Sequence, residues 1–128
     1  MPGLTSMKNL IIVTGGAGFV GSNLINLLIN RTNKYIISID NYSSGSKKNH
    51  IDNKRIKYLK SNTKNINTTL SKYKKKIDTI FHFGEFARIY QSFENFDQCY
   101  ESNSIGSKAV FKFCLENKIK LIYSATSA

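Results

Sequence analysis

Three glycines at a regular spacing are the first sign of chemistry in this sequence. Gly15, Gly18 and Gly21 lie three residues apart in VTGGAGFVGS (13–22), between a short apolar run and an apolar helical pattern. In such a turn the first glycine lets the chain leave a strand sharply, the second admits a pyrophosphate close to the backbone, and the third lets the helix pack on the sheet. The helix N-terminus adds unpaired N–H groups and about half a positive charge. The segment therefore predicts a nucleotide-binding site.

A carboxylate stands where the ribose of such a nucleotide would lie. Asp40 ends the second predicted strand, about 20 residues beyond the glycine turn, where an acidic residue can accept hydrogen bonds from the 2′- and 3′-hydroxyls. Its charge would repel a 2′-phosphate, which favours NAD over NADP. The alternative interpretation is a strand-end aspartate that only caps a turn. The spacing favours the ribose role.

The polar loop that follows Asp40 and the two histidines carry weaker signals. Residues 43–46 (SSGS) either follow the adenosine side of a cofactor or form a plain linker. His50 has no other candidate ligand nearby in the sequence and is interpreted as a surface residue. His82 lies inside a predicted strand, where a hydrogen-bonded core histidine is favoured over a catalytic base. Asn103 is polar on a largely apolar helix face, so it is expected to have a specific hydrogen-bond partner.

The elements that position these residues alternate along the chain. Short apolar runs predict five strands, at 8–14, 35–39, 55–60, 77–83 and 120–123. Helical spacing predicts helices at 19–30, 65–76 and 94–117. This alternation indicates an α/β fold with a doubly wound parallel sheet of the Rossmann type, which binds ligands at the carboxyl ends of its strands. Five candidate positions follow strand ends, namely Gly15, Asp40, Asn62, Gly84 and Thr126.

Composition bounds the class of protein. The chain has 128 residues, of which 41% are hydrophobic, so it is one domain or part of one, and global disorder is excluded. No apolar run approaches the roughly 18 residues that span a bilayer, and residues 1–7 show no signal-peptide pattern. Cys99 and Cys114 form no CxxC or Cys/His cluster, which predicts buried or idle thiols, no metal site and a cytoplasmic protein.

The formal net charge of +11 could indicate a polyanionic partner. Nearly all of it comes from lysines at 47–48, 54–64 and 72–76, interleaved with asparagine and isoleucine. Such residues are also what a compositionally biased genome would encode on a solvated surface. We favour the solvated surface and expect no nucleic-acid partner, because the sequence shows no known nucleic-acid-binding fold.

Taken together, the motifs resemble the extended short-chain dehydrogenase/reductases, especially the NAD-dependent nucleotide-sugar epimerases and dehydratases. The resemblance covers about residues 8–128 and includes TGGAGFVGS, IDN (39–41), FHFGE (81–85), YESNSIGS (100–107) and IYSATSA (122–128). It implies that Phe19 and Val20 line the pyrophosphate and that Asp40 and Asn41 lie at the adenosine ribose. It also implies that the loop after Phe83 and Gly84 passes the nicotinamide ribose, and that Asn103 lies near the cofactor.

The chain departs from the family pattern in three places. Asn62 stands where many members carry an aspartate that binds the adenine amino group, and its amide oxygen still offers an acceptor. After the fifth strand, Thr126 is the best match to the hydroxyl that bonds the reacting sugar oxygen, with Ser127 and Ser124 as alternatives. The family's Tyr-x-x-x-Lys pair would fall beyond residue 128. Residues 1–128 are therefore expected to be an incomplete NAD-binding domain, truncated after the fifth strand.

The resemblance implies an enzyme that transfers hydride to and from a bound nicotinamide, with a nucleotide-sugar as substrate. A tyrosinate of the missing pair would take the proton, so the 128 residues alone are expected to be inactive. The rival hypothesis is a non-catalytic NAD-binding sensor or partner-binding module of the same fold. A nucleic-acid binder that uses the lysine surface is the third hypothesis. A homodimer is compatible with the full-length family members, and no membrane partner is expected.

Overall fold

The computed structural model describes residues 8–84 and 96–125, which form one parallel sheet with helices on both faces. Its strands are β1 (Leu10–Thr14), β2 (Tyr35–Asp40), β3 (Ile56–Lys60), β4 (Ile77–Gly84) and β5 (Lys120–Ala125). They lie in the order β3-β2-β1-β4-β5, and every neighbouring pair is parallel. The order runs outward from β1 in both directions, so the prediction of a doubly wound Rossmann-type sheet is confirmed.

Three helices and two short 3₁₀ turns connect the strands. The helices are α1 (Phe19–Arg31), α2 (Ile66–Thr69) and α3 (Phe96–Asn117), and the 3₁₀ turns are Lys47–Asn49 and Thr63–Asn65. The predicted start of α3 at residue 94 lies outside the described residues. Among the described residues, no helix combines the length and the apolar character needed to cross a membrane.

The core lies on both faces of the central strand. All five residues of β1 are buried, because helices cover both faces of the parallel sheet. On one face, Ile11 and Val13 pack with Ile25 of α1. On the other face, Ile12 packs in a cluster with Phe113 of α3. The same cluster holds Cys114, and burial raises the pKa of its thiol to about 11, as expected of an unreactive thiol. The side chain of Cys99 lies outside the described residues.

The predicted helix at 65–76 is wrong in length. Helix α2 ends at Thr69, and turns continue to Lys76. Thr68 and Thr69 have restricted rotamers in a helix, and the run of lysines at 72–76 would place like charges one turn apart. Ile66 and Leu70 are nevertheless fully buried, in the core cluster that also holds Ile12 of β1.

Arg55 does not begin β3, as the alternating pattern predicted, because it lies in the turn that precedes the strand, which begins at Ile56. Its guanidinium donates to the carbonyls of Ile29, Thr32 and Lys34 at 2.7 to 2.9 Å. These carbonyls belong to the end of α1 and the segment after it, where helical acceptors lack partners. Arg55 therefore ties α1 to the start of β3.

One buried hydroxyl has no partner, and its removal is expected to stabilise the protein. The Oγ of Ser38 in β2 is the one buried side-chain polar atom without a hydrogen bond among the described residues. Because an unbonded hydroxyl loses its bonds to water on burial, we expect Ser38→Ala to raise the free energy of unfolding by about 1 kcal/mol in urea titrations. The control is Ser61→Ala, which removes a hydroxyl bonded to Thr69 at 2.9 Å and should give no gain. Destabilisation by Ser38→Ala would show that this hydroxyl is bonded.

Candidate functional site

The glycine turn joins β1 to α1 through a backbone that only small residues allow. Gly15 has a φ of +73°, in the left-handed region that favours glycine, and its N–H donates to the carbonyl of Ile39 at 2.7 Å. A Cβ on Gly21 would collide with the Gly15 carbonyl, so α1 starts in close contact with the turn. The turn is therefore held against β2 on one side and against its own helix on the other.

The first turn of α1 is open to an anion. Its N-cap residue is Gly18, which provides no side-chain hydrogen bond, and the first turn contains no acidic residue. The N–H groups of this turn have no partner within the helix. Phe19 and Val20 are 79% and 41% exposed, so they flank this end rather than entering the core. Thirteen residues of aligned peptide dipoles favour a phosphate at this position.

Asp40 ends β2 beside the glycine turn and is 6% exposed. Its Oδ2 accepts a hydrogen bond from the Ala17 N–H at 3.0 Å, and its Oδ1 accepts one from the Tyr42 N–H at 2.8 Å. The carboxylate is therefore fixed between the glycine turn and the loop that follows β2. Each carboxylate oxygen has two lone pairs, so each can still accept a hydroxyl from a ligand.

The loop after β2 packs on the glycine turn, chiefly on Ala17. The Ala17 carbonyl accepts hydrogen bonds from the Ser46 N–H at 3.0 Å and from the Asn49 side-chain amide at 2.8 Å. A Cβ on Gly45 would lie 2.7 Å from Asp40 Oδ2, so this loop passes against the carboxylate. The segment at 43–46 is thus part of the site wall and not a detached linker. Sequence reasoning did not single out Ala17 and Gly45, whose signal is a small side chain at a crowded position.

His50 is not the surface residue that the sequence analysis expected. It is half-buried, its ring stacks on Tyr58 with centroids 3.7 Å apart, and its Nε2 lies 2.7 Å from the Tyr42 hydroxyl. The Tyr58 hydroxyl in turn accepts the Ile51 N–H at 2.8 Å. Burial, followed by the negative charge of Asp40, raises the pKa of Tyr42. Aromatic contacts from β3 therefore bring His50 inward and hold the loop in place.

Two asparagines link the ends of β2 and β3. The side-chain amide of Asn41 donates to the Asn62 Oδ1 at 3.0 Å, and the Asn41 Oδ1 accepts the Ser43 N–H at 2.9 Å. The Asn62 oxygen expected to face a cofactor is thus engaged by one bond, and its second lone pair stays available.

These strand ends enclose a cleft of about 180 Å³. It contains five of the residues that the sequence predicted as cofactor-binding, namely Gly15, Asp40, Asn41, Asn62 and Phe83. Residues that the prediction did not include also line it, among them Thr14, Ser61, Thr63, Lys64, His82 and Ser107. The predicted Gly18, Phe19 and Val20 adjoin the turn at the start of α1, and Gly21 packs beneath it.

His82 forms the floor of the cleft. Its Nδ1 lies 2.7 Å from the Thr14 hydroxyl and its Nε2 lies 3.0 Å from the Ser107 hydroxyl, while the Thr14 oxygen accepts the Phe83 N–H at 3.1 Å. Burial lowers the pKa of His82 to about 4, so the ring is neutral at pH 7. Both ring nitrogens have partners, which agrees with a hydrogen-bonded core histidine and not with a free base.

The remaining candidates are placed only in part. Gly84 is the last residue of β4, and Asn103 lies within α3, but the side chain of Asn103 is outside the described residues, as are Thr126 and Ser127. Ser124 is an exposed residue of β5. Within residues 8–84 and 96–125, no three His, Cys, Asp or Glu side chains cluster as metal ligands would.

Solved structures of similar fold include several epimerases. The UDP-glucose 4-epimerase of Thermotoga maritima, solved with UDP-glucose, is 27% identical, with a TM-score of 0.79, and the match covers 91% of this chain and 38% of that one. The UDP-N-acetylglucosamine 4-epimerase of Methanobrevibacter ruminantium M1, solved with UDP-N-acetylmuramic acid, is 29% identical, with a TM-score of 0.78 and coverages of 94% and 39%. The Bordetella bronchiseptica enzyme WbmF, solved with NAD⁺, shares the fold at 24% identity, with a TM-score of 0.75 and coverages of 94% and 37%.

The chain therefore spans less than two-fifths of the length of these three proteins. A model of the NAD dependent epimerase/dehydratase family matches residues 11–128, which is nearly the whole chain and includes the glycine turn, Asp40 and the strand ends around the cleft. The sequence resemblance and the fold lead to the same family. The chain belongs to the NAD dependent epimerase/dehydratase family.

Proposed function

We propose that this chain is the NAD-binding part of a nucleotide-sugar epimerase or dehydratase. The observation that carries the proposal is the bond between Asp40 and the Ala17 N–H at 3.0 Å. It places a carboxylate, the group that recognises an unmodified ribose, directly against a glycine turn that is open to phosphates. A strand-end aspartate that only capped its own loop would not need to bond a residue 23 positions earlier.

The residues present fit NAD from its adenosine end to its pyrophosphate. The pyrophosphate would lie at the first turn of α1, where Gly18 leaves the backbone N–H groups uncovered. Asp40 would accept the adenosine ribose hydroxyls, and its negative charge would disfavour the 2′-phosphate of NADP. Asn41 and Asn62 would stand on the adenine side, where Asn62 offers a free lone pair.

NAD, when bound, supplies the hydride acceptor that lets a sugar carbon be oxidised and then reduced. The residues of this chain hold and orient that group. The neutral ring of His82, bonded on both sides, keeps Thr14 and Phe83 in register below the cleft and places no positive charge there. The hydroxyl that would bond the sugar oxygen is proposed to be Thr126, with Ser127 and Ser124 as alternatives. The proton-accepting base would come from a Tyr-x-x-x-Lys pair of the full-length protein.

The substrate class that we propose is a UDP-sugar. Two solved epimerases with 27% and 29% identity to this chain contain UDP-linked ligands. Their matches cover 38% and 39% of their lengths, so the sugar itself would be recognised by a part that this chain does not contain. Epimerisation and dehydration both remain within the proposal.

The test of cofactor binding is the thermal stability of the chain with and without NAD. At a concentration 100 times Kd, a ligand that binds only the folded state stabilises it by about 2.7 kcal/mol. For a domain of this size, we expect a rise in Tm of about 10 °C in calorimetry. NADP at the same concentration is the control and should give a clearly smaller rise. No shift with NAD, or an equal shift with NADP, would contradict the proposal.

A second measurement separates an enzyme from a non-catalytic NAD-binding module of the same fold. The full-length protein is expected to interconvert or dehydrate a UDP-sugar, with the products resolved by chromatography, whereas the 128 residues alone should not. Full-length protein that binds NAD but converts neither UDP-glucose nor UDP-N-acetylglucosamine would favour the binding module.

A further inference from the structure

A second depression lies at the opposite end of the sheet from the cleft. Its volume is about 390 Å³, within the range of small-molecule sites. It is formed where β1, β2 and β3 begin and by the turns that lead into β4, and its lining includes Leu10, Tyr35, Ile37, Lys57, Tyr73 and Lys76. We call it the amino-end groove. Strand β2 connects the two sites, with Tyr35 in the groove and Asp40 in the cleft, so they lie about 17 Å apart.

The groove is open because the connection above it is short. Side chains alternate along strands, so Tyr35 and Ile37 of β2 point to the same face of the sheet. Ile37 and Leu10 belong to the core cluster on that face, with Tyr73 packed against it. A helix over 65–76 would be about 18 Å long, whereas the four residues of α2 extend about 6 Å. Leu10 and Ile37 remain buried beneath the groove, whereas Tyr35 at the start of β2 is left exposed.

The rim of the groove is cationic and lacks carboxylates. Lys54, Lys57 and Lys76 line it and are exposed. Among the described residues, the single ion pair is between Lys34 and Asp78, at 2.6 Å, so these three lysines have no acidic partner. Arg55 also lines the groove, but three backbone carbonyls occupy its guanidinium.

Tyr73 brings an aromatic ring next to these charges. The Lys57 ammonium lies 3.2 Å from its hydroxyl and 5.8 Å from its ring centroid, and the Lys72 ammonium lies 5.2 Å from the same centroid. The hydrogen bond from Lys57 lowers the pKa of the Tyr73 hydroxyl. Tyr35, on the sheet side of the groove, is 51% exposed. The groove thus combines two tyrosines, above a buried apolar layer, with ammonium groups that have no carboxylate partner among the described residues.

We propose that the amino-end groove binds a small organic anion in which a planar ring carries a phosphate group. The ring packs against the exposed face of Tyr35 and beside Tyr73, above the buried Leu10 and Ile37, and so removes aromatic surface from water. The phosphate is held by Lys57 and Lys76, and its negative charge supplies the counter-charge that these two ammonium groups lack. This site is separate from the NAD site and does not depend on the proposed function.

The probes that test this proposal are phenyl phosphate, phenol and inorganic phosphate, measured by calorimetric titration at low salt with and without NAD. We expect phenyl phosphate to bind at least tenfold more tightly than either phenol or phosphate, and NAD to leave its affinity unchanged. The variant Lys57→Gln/Lys76→Gln should weaken phenyl phosphate at least fivefold. The matched variant Lys47→Gln/Lys48→Gln removes two exposed lysines near the cleft and should leave the affinity for phenyl phosphate unchanged.

Two results would overturn the proposal, because each indicates attraction by net charge alone. The first is equal affinity for phenyl phosphate and inorganic phosphate, and the second is an equal loss of phenyl phosphate affinity in the two double variants. Competition by NAD would also overturn it by assigning the probe to the cleft. Another contrary result is that a single-stranded oligonucleotide binds more tightly than phenyl phosphate and loses that binding in the Lys57→Gln/Lys76→Gln variant. That result would contradict the proposal and identify the ligand as a nucleic acid.

Discussion

Replacing Asp40 with asparagine is expected to weaken NAD binding by about tenfold to a hundredfold. Hydrogen bonds to a charged group contribute about 1.5–3 kcal/mol each, and about 1.4 kcal/mol corresponds to tenfold in Kd. Asp40 is also fixed by two backbone donors, the N–H groups of Ala17 and Tyr42, so its oxygens are already oriented when the ligand arrives. Calorimetric titration with NAD measures the loss.

The same substitution should change the choice of cofactor. Without the negative charge, the penalty on a 2′-phosphate falls, and we expect the ratio of the NADP and NAD dissociation constants to decrease about tenfold. The matched control is Asp52→Asn, which removes the same charge from an exposed residue and should alter neither affinity nor ratio. Circular dichroism checks that the Asp40→Asn protein is folded. If its dissociation constant for NAD is then within twofold of that of the unchanged protein, the ribose role is refuted.

Acidification is expected to destabilise the fold through His82. The pKa of this buried ring is lowered to about 4, below the unfolded value of 6.5, so the unfolded chain binds a proton that the folded chain does not. The free energy of unfolding should therefore be unaffected by His82 above pH 6.5 and fall as the pH drops from 6.5 towards 4. At about 1.4 kcal/mol per pH unit, the total loss is about 3 kcal/mol, measurable by urea titration across this range.

The sequence contains two histidines, which offers a matched comparison. All ionisable groups other than the two histidines are the same in both variants, so the difference between His82→Gln and His50→Gln isolates the buried ring. The His82→Gln protein should lose most of the slope between pH 6.5 and 5, while the His50→Gln protein should retain it. Equal slopes in the two variants would show that His82 is not the group responsible.

The elements of the sheet were predictable from local sequence because burial on both faces requires uninterrupted apolar runs. LIIVT became β1 and YIISID became β2, each within a few residues of the expected bounds. The connection at 65–76 was predicted wrongly for a reason that is also local. Ile66 and Leu70 are buried as their spacing indicates, but threonines and clustered lysines disfavour a longer helix. The periodicity of apolar residues does not include that effect.

The functional site was less predictable from the sequence than the strands were. The glycine spacing and Asp40 were visible in the sequence because backbone approach and charge depend on residue type. The bonds that Ala17 makes to Asp40, Ser46 and Asn49 were not visible, since an alanine gives no signal of what its backbone will bond. The burial of His50 was missed for a similar reason, because this loop residue stacks on Tyr58, which belongs to strand β3.

The sequence by itself determined the order of the strands and helices, the type of ligand expected at the glycine turn and the family to which the chain belongs. The elements follow from the period of apolar residues and the expected ligand from chemical groups at fixed spacing, whereas the family follows from the resemblance of whole motifs. Only the tertiary structure decided that Asp40 is clamped to the glycine turn, that His82 is neutral, and that an uncovered cationic groove lies at the far end of β2. Each of these depends on residues distant in the chain that meet across parallel strands, where burial and hydrogen bonding are set by packing rather than by neighbours in sequence.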